Sequence, residues 1–313
     1  MLSFIRHLLR IVLTLALATF SIFLLVRAAP ADPVTLMLAK PVDQVITDKD
    51  LKQAEIERRK EELGLNDSMM KQYARWMGHI LQGDLGTSIV TGQSIADSMR
   101  RFLPHSLLLA ALGCVLQLVL ASGVGFYSAY FYNRWPDHLL RVVCIFFRSL
   151  PSFVICLILL SLFATRWGIY EISTSASLSR LALPAVAVAL STFPRLARII
   201  RNAILDEIGQ QYVVVYISRG FSKGQILRKA FRNALLPVCT ALSMTFASSI
   251  GGMVVTESIF SWPGIGDYGM SSIMRQDYPA IQAYVLVVTV LVILVNAVTD
   301  WLYPLLLPRL RRS

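Results

Sequence analysis

Six stretches of this chain run almost without charge, at residues 11–26, 107–132, 149–165, 181–193, 234–256 and 280–299. Such a pattern constrains the fold before any motif is read. Hydrocarbon offers no partner to a peptide N–H or C=O, so each crossing segment must satisfy its own backbone as a helix of roughly 20 apolar residues. Composition agrees: 55% of the 313 residues are hydrophobic and only 16% charged, with a mean hydropathy of +0.59, too apolar for a soluble globule. The expected fold is an all-α membrane protein with six transmembrane helices. The first and third runs lengthen into Leu8, Leu9 and residues 142–147, with Arg10 and Arg148 snorkelling toward the headgroups. The fourth run is short, has Pro184 in its first turn, and reaches the interface only through Pro194 and Arg195.

Loop charges orient the spans, because Lys and Arg are retained on the cytoplasmic side of short loops. Arg6 and Arg10 precede the first span, Arg134 and Arg141 lie between the second and third, and Arg309, Arg311 and Arg312 close the chain. Between the fourth and fifth lie Arg195, Arg198, Arg201, Arg219, Lys223, Arg228, Lys229 and Arg232 against only Asp206 and Glu207. These four segments are expected in the cytoplasm, with both termini there and the chain in a bacterial inner membrane. The loop at 257–279 carries Glu257, Asp267 and Asp277 against Arg275 and faces outward, as does the nearly neutral loop after Thr165. Topology thus accounts for the net charge of +11; membrane lipid is the expected partner and nucleic acid is not needed. Arg6 to Arg10, the first apolar run and Ala28-Ala29-Pro30-Ala31 imitate a secretory signal. An uncleaved span is preferred, since cleavage would leave the ends on opposite sides and Pro30 is a poor start for processing.

The organisation that follows is a cytoplasmic N-terminus and first helix at 1–27, an extracytoplasmic loop domain at 28–105, a transmembrane core at 106–304 that contains the cytoplasmic loop 206–233, and a cytoplasmic basic tail at 305–313. A loop of that length and near charge balance reads as a folded cap with helical content. Thr47 or Asp48 caps a charged helix ending before Gly64, and Met69, Tyr73, Trp76 and Ile80 recur at helical spacing until Gly83. Tyr73 and Trp76 read as packing residues.

Catalytic chemistry has no visible carriers. Cys114, Cys144, Cys156 and Cys239 fall in or beside spans, His7, His79, His105 and His138 are scattered, and no phosphate loop, nucleophile elbow or H-E-x-x-H pair occurs. No metal site and no cofactor is expected on this chain. Ion-coupled carriers place ionisable groups at mid-membrane, and their absence here points to an external energy source. The fifth span carries Ser243, Thr245, Ser248, Ser249, Gly251 and Gly252 on one small, polar face, which suits substrate passage and helix packing about equally. Met244, Met253, Met270 and Met274 offer thioethers, for which packing is the more ordinary use.

The loop at 206–233 is the most informative segment. Residues 206–218 read as a helix continuing from the fourth span, Gly220 as its stop, and Ser222-Lys223-Gly224-Gln225 as a capping box opening a second helix. Ile226, Leu227, Ala230 and Phe231 then form an apolar stripe beside basic residues. A solvated loop at the lipid headgroups is the plainer alternative.

Tyr212-Val213, Arg219-Gly220-Phe221-Ser222 and Arg232-Asn233-Ala234-Leu235-Leu236-Pro237 resemble the cytoplasmic "EAA" signature of ABC importer permeases of the oligopeptide, dipeptide and nickel family. The resemblance extends to Gly83-Asp84-Leu85-Gly86, Ser88, Ser149-Leu150-Pro151, Glu257, Trp262-Pro263-Gly264, Asp277-Tyr278-Pro279 and Pro308-Arg309. It implies a type I importer permease fold, a homologous second permease subunit, two ATPase subunits that carry ATP and magnesium, and a periplasmic substrate-binding protein. Tyr212, Val213, Arg219, Gly220, Phe221, Ser222, Arg232 and Asn233 would form the ATPase-coupling loop. Glu257, Trp262, Pro263 and Gly264 would form an outer gate or a structural turn. Val214-Val215-Tyr216-Ile217-Ser218 departs from the family's basic or small residues and makes the docking surface more apolar, and Leu307 stands in place of an Asp. Residues 259–264 and 308–311 look slightly closer to nickel and metal-chelate permeases, with peptide uptake as the alternative. A gradient-driven carrier or a membrane scaffold is the rival of another class.

Overall fold

The computed structural model describes residues 2–27, 58, 67–173 and 175–306, nearly all of them helical. The expected helix before Gly64 and the Leu307 and Pro308-Arg309 positions lie outside the described residues. The helices are α1 Leu2–Arg27, α2 Met69–Leu81, α3 Ile95–Tyr130, α4 Trp135–Ser149, α5 Ser152–Leu160, α6 Leu178–Ile208, α7 Gln211–Ser218, α8 Lys223–Asn233, α9 Leu235–Gly252, α10 Val254–Ile259, α11 Ile265–Met274 and α12 Tyr278–Leu306. A π-helical turn, Ser161–Arg166, extends α5.

Each apolar run of the sequence falls largely on helix, but the spans differ in quality. α3, α6 and residues Tyr278–Thr299 of α12 are each long and apolar enough to cross a bilayer, and α4 with α5 makes a fourth if the bent pair counts as one. The apolar parts of α1 and α9, Ile11–Leu25 and Pro237–Phe246, are shorter. The third run is therefore not a straight span: α4 and α5 meet at 96°. Pro151 has no N–H to give and pushes Leu150 out of the helical region, to φ −81° and ψ 129°. The helix expected to run on through 206–218 also breaks. Gln210 takes an extended conformation after Gly209, so α7 starts afresh.

The described chain divides into two compact units. One holds Met1–Leu103 and Tyr268–Val290. In it Phe20 and Phe23 of α1 meet Tyr73 edge-on at 5.5 and 5.6 Å, Phe23 lies 6.1 Å from Trp76, and the Thr19 and Tyr73 hydroxyls bond at 2.8 Å. The aromatic stripe of α2 is thus a packing face. Asp277 is buried and accepts from the Ser88 hydroxyl at 2.5 Å and the Ile89 amide at 3.2 Å, tying the loop after α2 to the start of α12.

The other unit, Pro104–Asp267 with Leu291–Ser313, is organised around α6. Fourteen of its residues are buried, and the helix continues through both Pro184 and Pro194; in a membrane, neighbouring helices help to tolerate the backbone groups that a proline leaves unpaired. Ile200, Ile204 and Leu196 join Ala121 and Ala129 of α3 and Leu227 and Ala230 of α8 in one core. α3 approaches through small residues at four-residue spacing. A Cβ on Gly125 would stand 2.8 Å from the Ala197 carbonyl oxygen and from Ile200 Cγ2. Small residues let backbones close in where lipid supplies no hydrophobic drive between helices.

Two alanine substitutions separate this contact from helix propensity. Gly125→Ala should destabilise by about 1–3 kcal/mol through overpacking, seen as a lower detergent melting temperature. Gly123→Ala, whose added methyl meets nothing within 4 Å, should match or exceed the parent. Equal melting of the two variants would remove the close-approach account.

Candidate functional site

The candidate site residues fall into three clusters, all within the unit built on α6. The first is the α7–α8 hairpin. Gly220 sits at φ +77° with open space around its missing Cβ, a conformation that costs a β-branched residue dearly. The capping box forms: the Gln225 amide donates to Ser222 Oγ at 3.4 Å and the Ser222 amide to Gln225 Oε1 at 2.9 Å. Ile226, Leu227 and Ala230 bury one face of α8, the last two against α6. Tyr212 donates to Glu207 Oε2 at 2.7 Å, and Asn233 Nδ2 donates to the same oxygen and to the Tyr212 hydroxyl at 3.1 Å each. This triangle joins the end of α6, the start of α7 and the end of α8. Burial first, and then the Glu207 carboxylate, push the Tyr212 phenol above its ordinary pKa. Val213 is buried, the Phe221 ring meets that of Tyr216 at 5.0 Å and a tilt of 50°, and Arg219 and Arg232 are exposed. Lys223 lies 5.0 Å over the Tyr130 ring and Lys229 4.6 Å over Tyr216. Val214 and Ile217 are 66% and 61% exposed, an apolar outer face on α7.

The second cluster is a cavity of about 340 Å³ between α4, α5, α6, α9 and α10. Of the fifth-span residues, Thr245, Ser248, Ser249 and Gly252 line it. Ser243 does not, and its hydroxyl donates to the Cys239 carbonyl at 3.0 Å. The sequence pattern missed the opposite wall: Ser152, Ser191, Thr192, Thr256 and the guanidinium-bearing Arg148 and Arg195. Two hydroxyls three and four positions before Arg195, one helical turn away on the same face, were the available signal. Met253 also lines the cavity while packing with Leu109 and Trp262, so it serves the core.

The third cluster is the 257–267 turn. Glu257 is 1% exposed and lies on a six-residue helix outside the candidate spans. It accepts from Ser106 Oγ at 2.6 Å, the Gly266 amide at 2.7 Å and the Asp267 amide at 3.1 Å. Burial pushes its carboxyl above the ordinary carboxylate range, against the pull of those donors. Trp262 Nε1 donates to the His105 carbonyl, and His105 Nδ1 donates to the Pro263 carbonyl, each at 3.1 Å. A Cβ on Gly264 would fall onto the Glu257 carboxyl. Arg180, absent from the sequence reading, is buried and donates to the carbonyls of Glu171 and Phe260 at 3.0 and 3.2 Å. Glu257, Trp262, Pro263 and Gly264 are thus knitted into one locked turn together with Ser106 and His105.

A carboxylate receiving three donors is expensive to remove and cheaper to neutralise. Glu257→Ala should lower the melting temperature by several degrees more than Glu257→Gln, because it leaves two buried amides and a hydroxyl unmatched at about 1–3 kcal/mol each. Equal losses would mean that the side chain fills space and no more.

Residues 121–312 match the family described as "Binding-protein-dependent transport system inner membrane component", and residues 1–110 match the N-terminal family of such membrane components. The chain is 33% identical over 97% of both chains to the oligopeptide transport system permease protein AppB of Bacillus subtilis (strain 168). It is 30% identical over 98% of both to the glutathione transport system permease protein GsiC of Escherichia coli (strain K12). Among solved structures, the inward-facing MetNI methionine ABC transporter superposes at a TM-score of 0.57 and 17% identity, covering 66% of this chain and 95% of the other. An amino acid ABC transporter with histidines gives 0.53 at 13% identity, covering 66% and 93%; both likenesses concern the fold.

Proposed function

Since this chain belongs to the family of inner-membrane components of binding-protein-dependent transport systems and is a permease subunit of an ABC importer, we propose that it forms half of a translocation pathway for short peptides. In this reading a homologous permease supplies the other half, a periplasmic binding protein delivers the cargo, and ATP with magnesium is handled by two separate ATPase subunits. Both termini and the α7–α8 hairpin face the cytoplasm. The slight lean toward nickel read from residues 259–264 and 308–311 is given up, because the relatives at 30% identity and above carry the names of oligopeptide and glutathione permeases.

The observation that carries the mechanism is that one helix reaches both the cavity and the hairpin. Ser191, Thr192 and Arg195 of α6 line the cavity, and Glu207 at its end holds Tyr212 and Asn233. ATPase subunits docked on the exposed apolar face of α7 and the basic face of α8 would move α6 as a rigid body when their dimer closes. That movement switches the pathway between its inward and outward openings. The locked turn around Glu257 then serves as a rigid outer element that turns with the bundle.

The decisive experiment reconstitutes the four-subunit complex with its receptor in vesicles and follows ATP-dependent uptake of a labelled tripeptide. Accumulation that persists without ATP would favour a gradient-driven carrier, and none with ATP would end the peptide reading. Gly220→Val tests coupling. Its side chain is strained at φ +77° by about 1–3 kcal/mol, so the ATPase should be retained poorly in pull-downs and its substrate stimulation lost, with membrane insertion intact. Lys223→Gln removes only an exposed cation–π contact, worth about 0.5–1 kcal/mol, and should couple nearly normally.

A further inference from the structure

The cavity carries charge that helix packing does not call for. Arg148 in the last turn of α4 and Arg195 in α6 both border it. Among the described residues neither meets a carboxylate. Asp137 is taken by Arg201 at 2.8 and 2.9 Å, Glu207 by Tyr212 and Asn233, and Glu257 by Ser106 and two amides. Most of the wall hydroxyls have the opposite character. Thr192, Thr245, Ser248 and Ser249 each direct the hydroxyl proton to the carbonyl one turn back, at 2.8 to 2.9 Å. Toward the cavity they have lone pairs to offer. Part of the lining therefore donates from fixed positive charge, and these four hydroxyl oxygens accept.

We propose that this cavity is a subsite for a carboxylate-bearing peptide in transit, with the carboxylate received by Arg148 and Arg195 and the ligand's N–H groups received by the hydroxyl oxygens of α6 and α9. The inference rests on the reading of the cavity as part of the pathway. A guanidinium offers paired N–H donors that match the two oxygens of a carboxylate. Two of them beside low-dielectric helix walls concentrate anions and repel free cations. A bare divalent metal finds no carboxylate, thiolate or imidazole on this lining. Both arginines remain exposed on the open side of the cavity, so a bound carboxylate keeps part of its hydration and leaves readily, as a conducting site requires.

The test reads local charge directly, without transport. In the assembled complex, with Cys114, Cys144, Cys156 and Cys239 replaced, Ser248→Cys is labelled by a sulfonate-bearing or a trimethylammonium-bearing methanethiosulfonate. Each rate is normalised to that of a free thiol. The anionic reagent should be faster by on the order of tenfold. Arg148→Gln with Arg195→Gln should bring the ratio near one, and Arg148→Lys with Arg195→Lys should keep it. A tripeptide acid should protect the introduced thiol better than its C-terminal amide. Thr245→Cys reports on the same wall if the first variant does not assemble. A ratio near one with both arginines present, or a preference that survives the double Gln change, overturns the proposal. So does a preference found in detergent but abolished in phosphatidylglycerol vesicles, which would assign the arginines to lipid headgroups. Failure of peptide uptake by the unsubstituted complex would sink the pathway reading instead, and leaves the labelling ratio readable.

Discussion

Burial of α6 is the interaction on which the larger unit depends. Its 31 residues include Pro184 and Pro194, each of which removes a backbone bond and crowds the preceding turn, at a cost of about 3 kcal/mol in an unsupported helix. In hydrocarbon the freed carbonyls cannot turn to water, so the surrounding helices must hold the backbone in place. α3 does this through Gly113 and Gly125, whose missing Cβ atoms leave room for Val188, the Ala197 carbonyl and Ile200. α8 does it through Leu227 and Ala230. The same rod presents Arg195 to the cavity and Glu207 to the hairpin.

Polar groups fasten this apolar assembly at a few points, chief among them Asp137, Glu257 and Arg180. Asp137 is completely buried, yet Arg201 grips both its oxygens while Ser128 and the Asn133 amide donate at 2.5 and 3.0 Å. The pair fixes the turn between α3 and α4 against α6. A buried ion pair adds little net stability over an apolar contact of the same shape, but losing one partner strands a charge at about 3–5 kcal/mol. Its value lies in register. Glu257 plays the same part without a cation, using three hydrogen-bond donors, and Arg180 does so with carbonyls in place of carboxylates.

Local chemistry was legible in the sequence, and distant chemistry was not. The capping box at Ser222 and Gln225, the positive φ at Gly220 and the packing stripe of Tyr73 and Trp76 follow from residues a few positions apart, and each forms as read. The bend at Leu150-Pro151 was also within reach, since proline constrains the residue before it; the apolar count outweighed that signal in the span assignment. The break at Gly209 and Gln210 was hidden by a helical pattern on both sides of it. Ser106 with Glu257, Asp137 with Arg201 and Arg180 with Phe260 are separated by 151, 64 and 80 positions. No periodicity reports such pairs. The family resemblance places Glu257 and Gly264 together in an outer gate or a structural turn, and in the structure a methyl at 264 and the carboxyl of 257 would compete for one volume.

Arg148 and Arg195 show how one rule can conceal another. Arg195 falls among the loop charges that orient the spans, and Arg148 reads as a residue snorkelling toward the headgroups; neither role calls for a cavity. The fold sets them on the rim of a cavity where Thr245, Ser248 and Ser249 have already spent their hydroxyl protons on the backbone. Retention signals need only lie near the interface, and any outward rotamer on a lipid-facing helix would serve. Placement beside Thr192, Ser248 and Ser249 is a stronger condition than topology imposes. A wall with fixed cations and hydroxyl acceptors is matched by a molecule with an acid and amide N–H groups on one short backbone, and a peptide carries both.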